Sequence, residues 1–226
     1  STANAFVLRG AKPVFIDIDM ETLNMNVELI EGNITSRTKA IVPVHYAGVG
    51  CDMDKILKIS EEYNLKIIED AAQGISASYK NSVLGGIGDL GCYSFHETKN
   101  IFCGEGGALL INNPEYIERA EIIREKGTNR SQFSRGTVDK YTWVDLGSSF
   151  LPGELNAAFL FAQMEKADEI KKKRIEIWVY YQQILEYLVE EGFISTPNIP
   201  FECNHNGHIF YIIHKSTEQR QLFIKK

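Results

Sequence analysis

Tyr93-Ser94-Phe95-His96-Glu97-Thr98-Lys99-Asn100, followed by Gly104-Glu105-Gly106-Gly107, is the stretch around which the rest of the chain is read. Apolar residues dominate positions 90–95, and Ala108-Leu109-Leu110-Ile111 resumes the pattern. This predicts strand, irregular loop, strand, with Lys99 in the loop. A loop held between strands is a good place for a reactive group. A lysine amine condenses with aldehydes, and desolvation or nearby positive charge lowers its pKa until free amine exists near neutrality. An isolated loop lysine is ordinarily just solvated, so the weight of this one depends on its company.

Upstream, Leu65-Lys66-Ile67-Ile68-Glu69-Asp70 is a short apolar run ending in carboxylates, followed by the small-residue turn Ala71-Ala72-Gln73-Gly74. Ligands of open parallel sheets bind beyond the carboxyl ends of strands, where Asp70 falls. Alone, an acidic strand end reads as a metal ligand, a helix cap or a solvated edge. Together, Asp70 and Lys99 meet the needs of pyridoxal phosphate: an amine for its aldehyde, and a carboxylate that keeps its ring nitrogen protonated so that the ring withdraws electrons.

These residues also carry a resemblance. Ile68-Glu69-Asp70-Ala71-Ala72-Gln73, the Lys99 stretch, Gly104-Glu105-Gly106-Gly107 and Val44-His45-Tyr46-Ala47-Gly48 resemble the DegT/StrS group of sugar-nucleotide aminotransferases, and the likeness runs through nearly the whole chain. It implies a three-layer α/β fold of the aspartate-aminotransferase type (type I pyridoxal phosphate), mostly parallel, with the start of a small α+β C-terminal domain. It also implies that Lys99 holds the cofactor and moves the proton, and that Asp70 faces the ring nitrogen. Ser94 would then donate to the cofactor phosphate, and Gln73 would lie near its ring hydroxyl. Gly127-Thr128-Asn129-Arg130-Ser131-Gln132-Phe133 and Asp139-Lys140-Tyr141-Thr142-Trp143 are most similar to members that aminate the C4 ketone of a dTDP-4-keto-6-deoxy-hexose, with an amino acid such as glutamate as donor. Another nucleotide keto-sugar is the alternative substrate, and homodimers are the family habit. Three rivals stand beside this reading. A dehydratase on the same fold would replace the lysine with histidine, a regulator would lose the Asp70 and Lys99 pair, and a structural module would bind no cofactor.

Bulk properties agree with a soluble enzyme. The chain has 226 residues, enough for a sizeable core. Its formal net charge of −6 and pI near 5.5 lack the basic footprint of a nucleic-acid binder. No apolar run approaches the ~20 residues needed to cross a bilayer. Cys51, Cys92, Cys103 and Cys203 have neither zinc-site spacing nor disulfide density, which points to reduced thiols and a cytoplasmic location.

In chain order, a helix ends at Gly10, a strand follows at 13–17, and Asp17 and Asp19 read as solvated turn acids. Asn26 caps a helix through Ile30, and 38–45 reads as a strand covered on both faces, with His45 at its end bordering cofactor or sugar. Residues 52–63 form a helix with Met53, Ile56, Leu57 and Ile59 as its apolar face. Gly85-Gly86-Ile87-Gly88 lacks the spacing of a phosphate or dinucleotide loop and reads as a turn that lets backbone pass closely. Residues 114–126 form a helix. Residues 127–141 form a long basic loop, in which Asn129, Arg130 and Arg135 are candidates for the sugar-nucleotide diphosphate. Helices follow at 153–167 and 168–189, a strand at 209–213, and a last helix from 218. The division expected is 1–165 for the cofactor domain and 166–226 for the connecting helix and small domain.

Both ends read as cut from a longer chain. The resemblance further places a phosphate-binding Gly-Thr turn and a ring-stacking aromatic before position 1, and an asparagine where this chain has Phe150-Leu151-Pro152. The expected outcome is that the isolated 226-residue chain binds pyridoxal phosphate weakly, read as a near-visible absorbance far below one equivalent at saturating protein.

Overall fold

The computed structural model describes residues 1–225. From the N-terminus its elements are α1 (Thr2–Val7), β1 (Ala40–Ile41), α2 (Met53–Tyr63), β2 (Lys66–Asp70), β3 (Ser78–Tyr79), β4 (Ser82–Val83), β5 (Leu90–Ser94) and β6 (Gly107–Ile111). There follow α3 (Ile117–Arg124), α4 (Arg130–Ser134), α5 (Glu154–Met164), α6 (Ala167–Glu190), β7 (Ile194–Ser195), β8 (Cys203–Asn204), β9 (Ile213–His214) and α7 (Thr217–Ile224). The main sheet has the order β1-β2-β5-β6, parallel through β5 and antiparallel at β6. The alternation of elements predicts the α/β class, and the mostly parallel sheet is the one the resemblance implies.

Local chemistry explains the crossover into β2. Asp52 caps α2 by accepting from the Lys55 amide at 3.3 Å, and Asn64, with φ of 50°, ends the helix in the left-handed region. Met53, Ile56 and Ile59 are buried against Ile41, Ile67 and Leu84, whereas Leu57 is 37% exposed and lies off the predicted apolar face. A second, smaller cluster of Ile75, Phe95, Ile101 and Cys103 packs against Leu160, Ala167 and Ile170 of α5 and α6. It lies under the Lys99 loop, since Ile101 belongs to that loop.

Several expected elements take another form. Residues 13–17 form no strand, and only Asp17, whose carbonyl accepts from Asn26 N–H at 2.9 Å, is tied to the Ile18–Met25 bridge; Phe15 is 80% exposed, because no strand among the described residues runs beside it. Asn26 caps, at 3.1 Å, only a 3-10 turn, Val27–Leu29. The strand expected at 38–45 pairs regularly only at Ala40–Ile41 because Pro43 has no N–H, although Asp70 N–H still donates to Pro43 O at 2.9 Å and His45 N–H to Asp70 O at 3.1 Å. Ile41, Pro43 and His45 are buried while Val44 is exposed, so one face is covered rather than two. Near the C-terminus the strand at 209–213 shrinks to Ile213–His214, which pairs with β7, and β8 pairs with β3. Two-residue strands are too short to show a period in sequence.

The best-defined polar feature is Glu69, fully buried on the face of β2 opposite Asp70. Its Oε2 accepts from His45 Nε2 at 2.9 Å and Gly85 N–H at 2.8 Å, and its Oε1 from Ile87 N–H at 2.6 Å and Gly88 N–H at 2.7 Å. Because Cys51 N–H donates to His45 Nδ1 at 3.1 Å, the ring proton sits on Nε2 and points at the carboxylate. Burial pushes the Glu69 pKa up, but the bonds from His45, Gly88 and Gly85 outweigh it and hold the group below its ordinary value. The glycine-rich turn is thus a nest of N–H donors for a side chain of the protein itself. A depressed folded-state pKa contributes stability that is present above the unfolded value and is lost as pH falls through the folded one. Glu69→Gln, which sets an NH₂ against donors, is expected to cost about 3 kcal/mol in urea unfolding at pH 7 and to flatten the loss of stability below pH ~4.

Candidate active site

Alternation along β2 and β5 determines which side chains share a face. Ile67 and Glu69 point into the α2 core, so Asp70 faces the other way, and its register partner on β5 is Cys92. Ser94, two residues further along β5, lies on the same face as Cys92. With strands ~4.8 Å apart and a rise of ~3.3 Å per residue, Asp70 and Ser94 are separated by about 8 Å at the carboxyl edge. The Asp70 carboxylate accepts from Ala72 N–H at 3.1 Å and from the Thr2 hydroxyl of α1. Ser94 Oγ accepts from His96 N–H at 3.3 Å, and its own proton has no acceptor among the described residues.

Lys99 follows Ser94 in a compact loop. Glu97 N–H donates to Gly104 O at 2.9 Å, Cys103 N–H to Phe95 O at 2.8 Å and Lys99 N–H to His96 O at 2.9 Å. Asn100 and Ile101, the next two residues, are buried and root the loop. The Lys99 side chain is half-buried and forms no ion pair or hydrogen bond among the described residues. Its charge is nevertheless felt: burial first, then Lys99 and Arg174, push His208 down to about 4. At Gln73, Oε1 accepts from Ala47 N–H at 2.6 Å, which holds Ala47 at a left-handed φ of 57° and leaves the side-chain NH₂ free to donate.

The other expected site residues are engaged elsewhere. His45 has no exposed surface, and both ring nitrogens are bonded inside the core. Asn129 is buried; its amide donates to Lys140 O at 3.0 Å and its oxygen accepts from Thr142 N–H at 2.8 Å, closing the loop that carries it. Arg130 pairs with Glu125 at 3.1 Å, and Arg135 forks onto Glu121 at 2.8 and 2.6 Å. Residues 127–141 are accordingly a stapled turn around α4 rather than an open basic loop. The sequence reading missed Thr2, Asn100, Asn206 and His208, whose roles depend on contacts across up to 133 positions. Glu69 had a signal, a glycine cluster downstream with no phosphate motif to explain it.

By donor chemistry the grouped residues fit pyridoxal phosphate. They offer an unpaired amine at Lys99, a carboxylate at a strand end, a hydroxyl for a phosphate on a residue whose backbone is about 8 Å away, and an amide NH₂ at Gln73. Among the described residues no cluster of metal-ligating side chains occurs, and no helix is long and apolar enough to cross a membrane.

The chain is 43% identical over 216 residues to an uncharacterized protein of Methanocaldococcus jannaschii, covering 94% of this chain and 55% of that one. It is 35% identical over 218 residues to the spore coat polysaccharide biosynthesis protein SpsC of Bacillus subtilis, covering 94% and 54%. It therefore spans about half the length of the curated relatives it matches. Its fold superposes on NtdA of Bacillus subtilis, a structure with bound cofactor PMP, with a TM-score of 0.88 at 30% identity, covering 100% of this chain and 49% of that one. The architecture is the type I pyridoxal phosphate aminotransferase fold. A model of the DegT/DnrJ/EryC1/StrS aminotransferase family matches residues 1–226, and the chain belongs to that family.

Proposed function

We propose that the protein of which this chain is part is a pyridoxal phosphate-dependent aminotransferase acting on a nucleotide keto-sugar. The observation that carries this reading is the unpaired, half-buried amine of Lys99, on a rooted loop beyond the strand edge that holds Asp70 and Ser94 on one face. When bound, the cofactor supplies an aldehyde that condenses with amines and a ring that withdraws electrons from the carbon losing its proton. Asp70 would stabilise a protonated ring nitrogen, Ser94 would donate to the phosphate, and the Gln73 amide would donate to the ring oxygen. Lys99 would hold the cofactor through its amine, and when free that amine would be the base placed to take up and return a proton.

The substrate reading is a dTDP-4-keto-6-deoxy-hexose aminated at C4 with glutamate as donor, giving dTDP-4-amino-4,6-dideoxygalactose, a sugar of the enterobacterial common antigen. It rests on the likeness of residues 127–133 and 139–143 to enzymes of that specificity, and a polysaccharide-biosynthesis protein among the relatives supports the sugar class. A cytoplasmic homodimer is the assembly we infer. Exposed Trp143, Leu146, Leu155 and Phe161 support it as apolar surface that a partner copy would cover.

Incubating the full-length protein with glutamate and dTDP-4-keto-6-deoxyglucose is expected to yield the 4-amino sugar by NMR. A 3-amino product would overturn the substrate assignment. Lys99→Ala is expected to abolish the borohydride-stable cofactor adduct and lower kcat at least about 10³-fold, and Asp70→Asn about 10²-fold with the adduct retained. A variant at position 99 that keeps full activity would sink the reading.

A further inference from the structure

Asn206, late in the chain, lies in space beneath both loops of the candidate site. It is 1% exposed. Its amide donates to Gln73 O at 2.7 Å and Ile75 O at 2.8 Å, and its side-chain oxygen accepts from His208 N–H at 3.1 Å. Its backbone carbonyl accepts from the Asn100 amide at 3.0 Å, and Asn100 Oδ1 meets His208 Nδ1 at 2.7 Å. Since the Asn100 NH₂ is used on Asn206, its oxygen is the acceptor and His208 carries its proton on Nδ1.

The backbone is shaped around this contact. Gly48 has φ of +78°, and a Cβ there would lie 2.0 Å from Asn206 Oδ1 and 3.0 Å from Gln73 O. Only glycine allows that approach without strain. Just before Asn206, β8 pairs with β3, and Lys171 of α6 donates to Ser76 O at 2.7 Å, so the whole 203–208 segment is drawn onto the turn that follows Asp70.

We propose that Asn206 is a positioning residue for the cofactor-holding groups. It pins the Gln73 turn directly and the Lys99 loop through Asn100, so that a C-terminal segment sets the distance between them. The two carbonyls it satisfies are enclosed, and removing the amide leaves both without a donor, so the turn must open to find one. This rests on the roles proposed for Lys99 and Gln73, but the interlock itself can be measured without cofactor.

Asn206→Asp keeps the size and the accepting oxygen and removes both donations. Amide hydrogen exchange of the 226-residue chain is expected to speed up at least tenfold at residues 72–76, with α2 unchanged and with 96–104, which bonds the Asn206 backbone, changed less. In the full-length protein, the pyridoxal phosphate concentration giving half-maximal borohydride trapping at Lys99 should rise at least tenfold. Ile59→Val, a mild lesion in the α2 core, should move neither readout. Exchange at 72–76 at the wild-type rate, or equal acceleration in α2 and at 72–76, would overturn the proposal. If Asn206→Asp does not fold, Asn100→Ala tests the Lys99 branch alone, with faster exchange expected at 96–104 and not at 72–76. A wild-type protein that takes up no cofactor at Lys99 would remove the aminotransferase reading, while the exchange result would still decide the interlock.

Discussion

A single buried carboxylate organises the sheet end. Four donors converge on Glu69, one from the His45 ring and three from the 85–88 turn, filling both oxygens in a place with no access to water. A charge in such a place is tolerated only when fully bonded, so the turn has little freedom to drift. That turn delivers the chain into β5, and β5 delivers it to Ser94 and Lys99. Close packing reinforces the constraint: a Cβ at Gly91 would lie 2.0 Å from Gly85 O, and one at Gly88 2.5 Å from an Ile67 methyl.

The two faces of β2 thus have separate tasks. Ile67 and Glu69 bind the sheet to α2 and the glycine turn, and Asp70, one residue on, faces the candidate site. Strand alternation makes this division automatic, because neighbouring acids on a strand cannot share an environment. A rigid anchor on one face lets the exposed face carry groups whose spacing matters. The loops beyond the edge have no ladder of their own. They depend on side-chain bonds, Gln73 to the Ala47 amide and Asn100 to the 206–208 segment.

Much of this arrangement was legible from residues alone. The strand, loop, strand pattern around Lys99 and the position of Asp70 at a strand end follow from short apolar runs, and both hold. The capped helix at 53–63 was legible for the same reason, a stripe at helical spacing behind an aspartate. Where the reading strayed, the signal was short or ambiguous. His45, Asn129 and Arg130 are polar residues beside a motif, and nothing in their order distinguishes a group that meets a ligand from one that holds a turn. Burial and partners are seen only in the fold: His45 is enclosed, Asn129 bonds its own loop, and Arg130 has a nearby glutamate.

By itself, then, the order of residues determined the α/β class, the main strands, and the amine and carboxylate proposed for the chemistry, because each is written in a local apolar pattern or in a compact motif. Tertiary structure alone decided that Glu69 is structural while Asp70 is available, that the glycine turn wraps a side chain instead of a phosphate, and that Asn206 lies beneath Gln73 and Asn100. Those outcomes depend on which groups meet after the chain has closed over separations of 16 to 133 residues. Hydrogen-bond partners at that range leave no periodic trace in the sequence that specifies them.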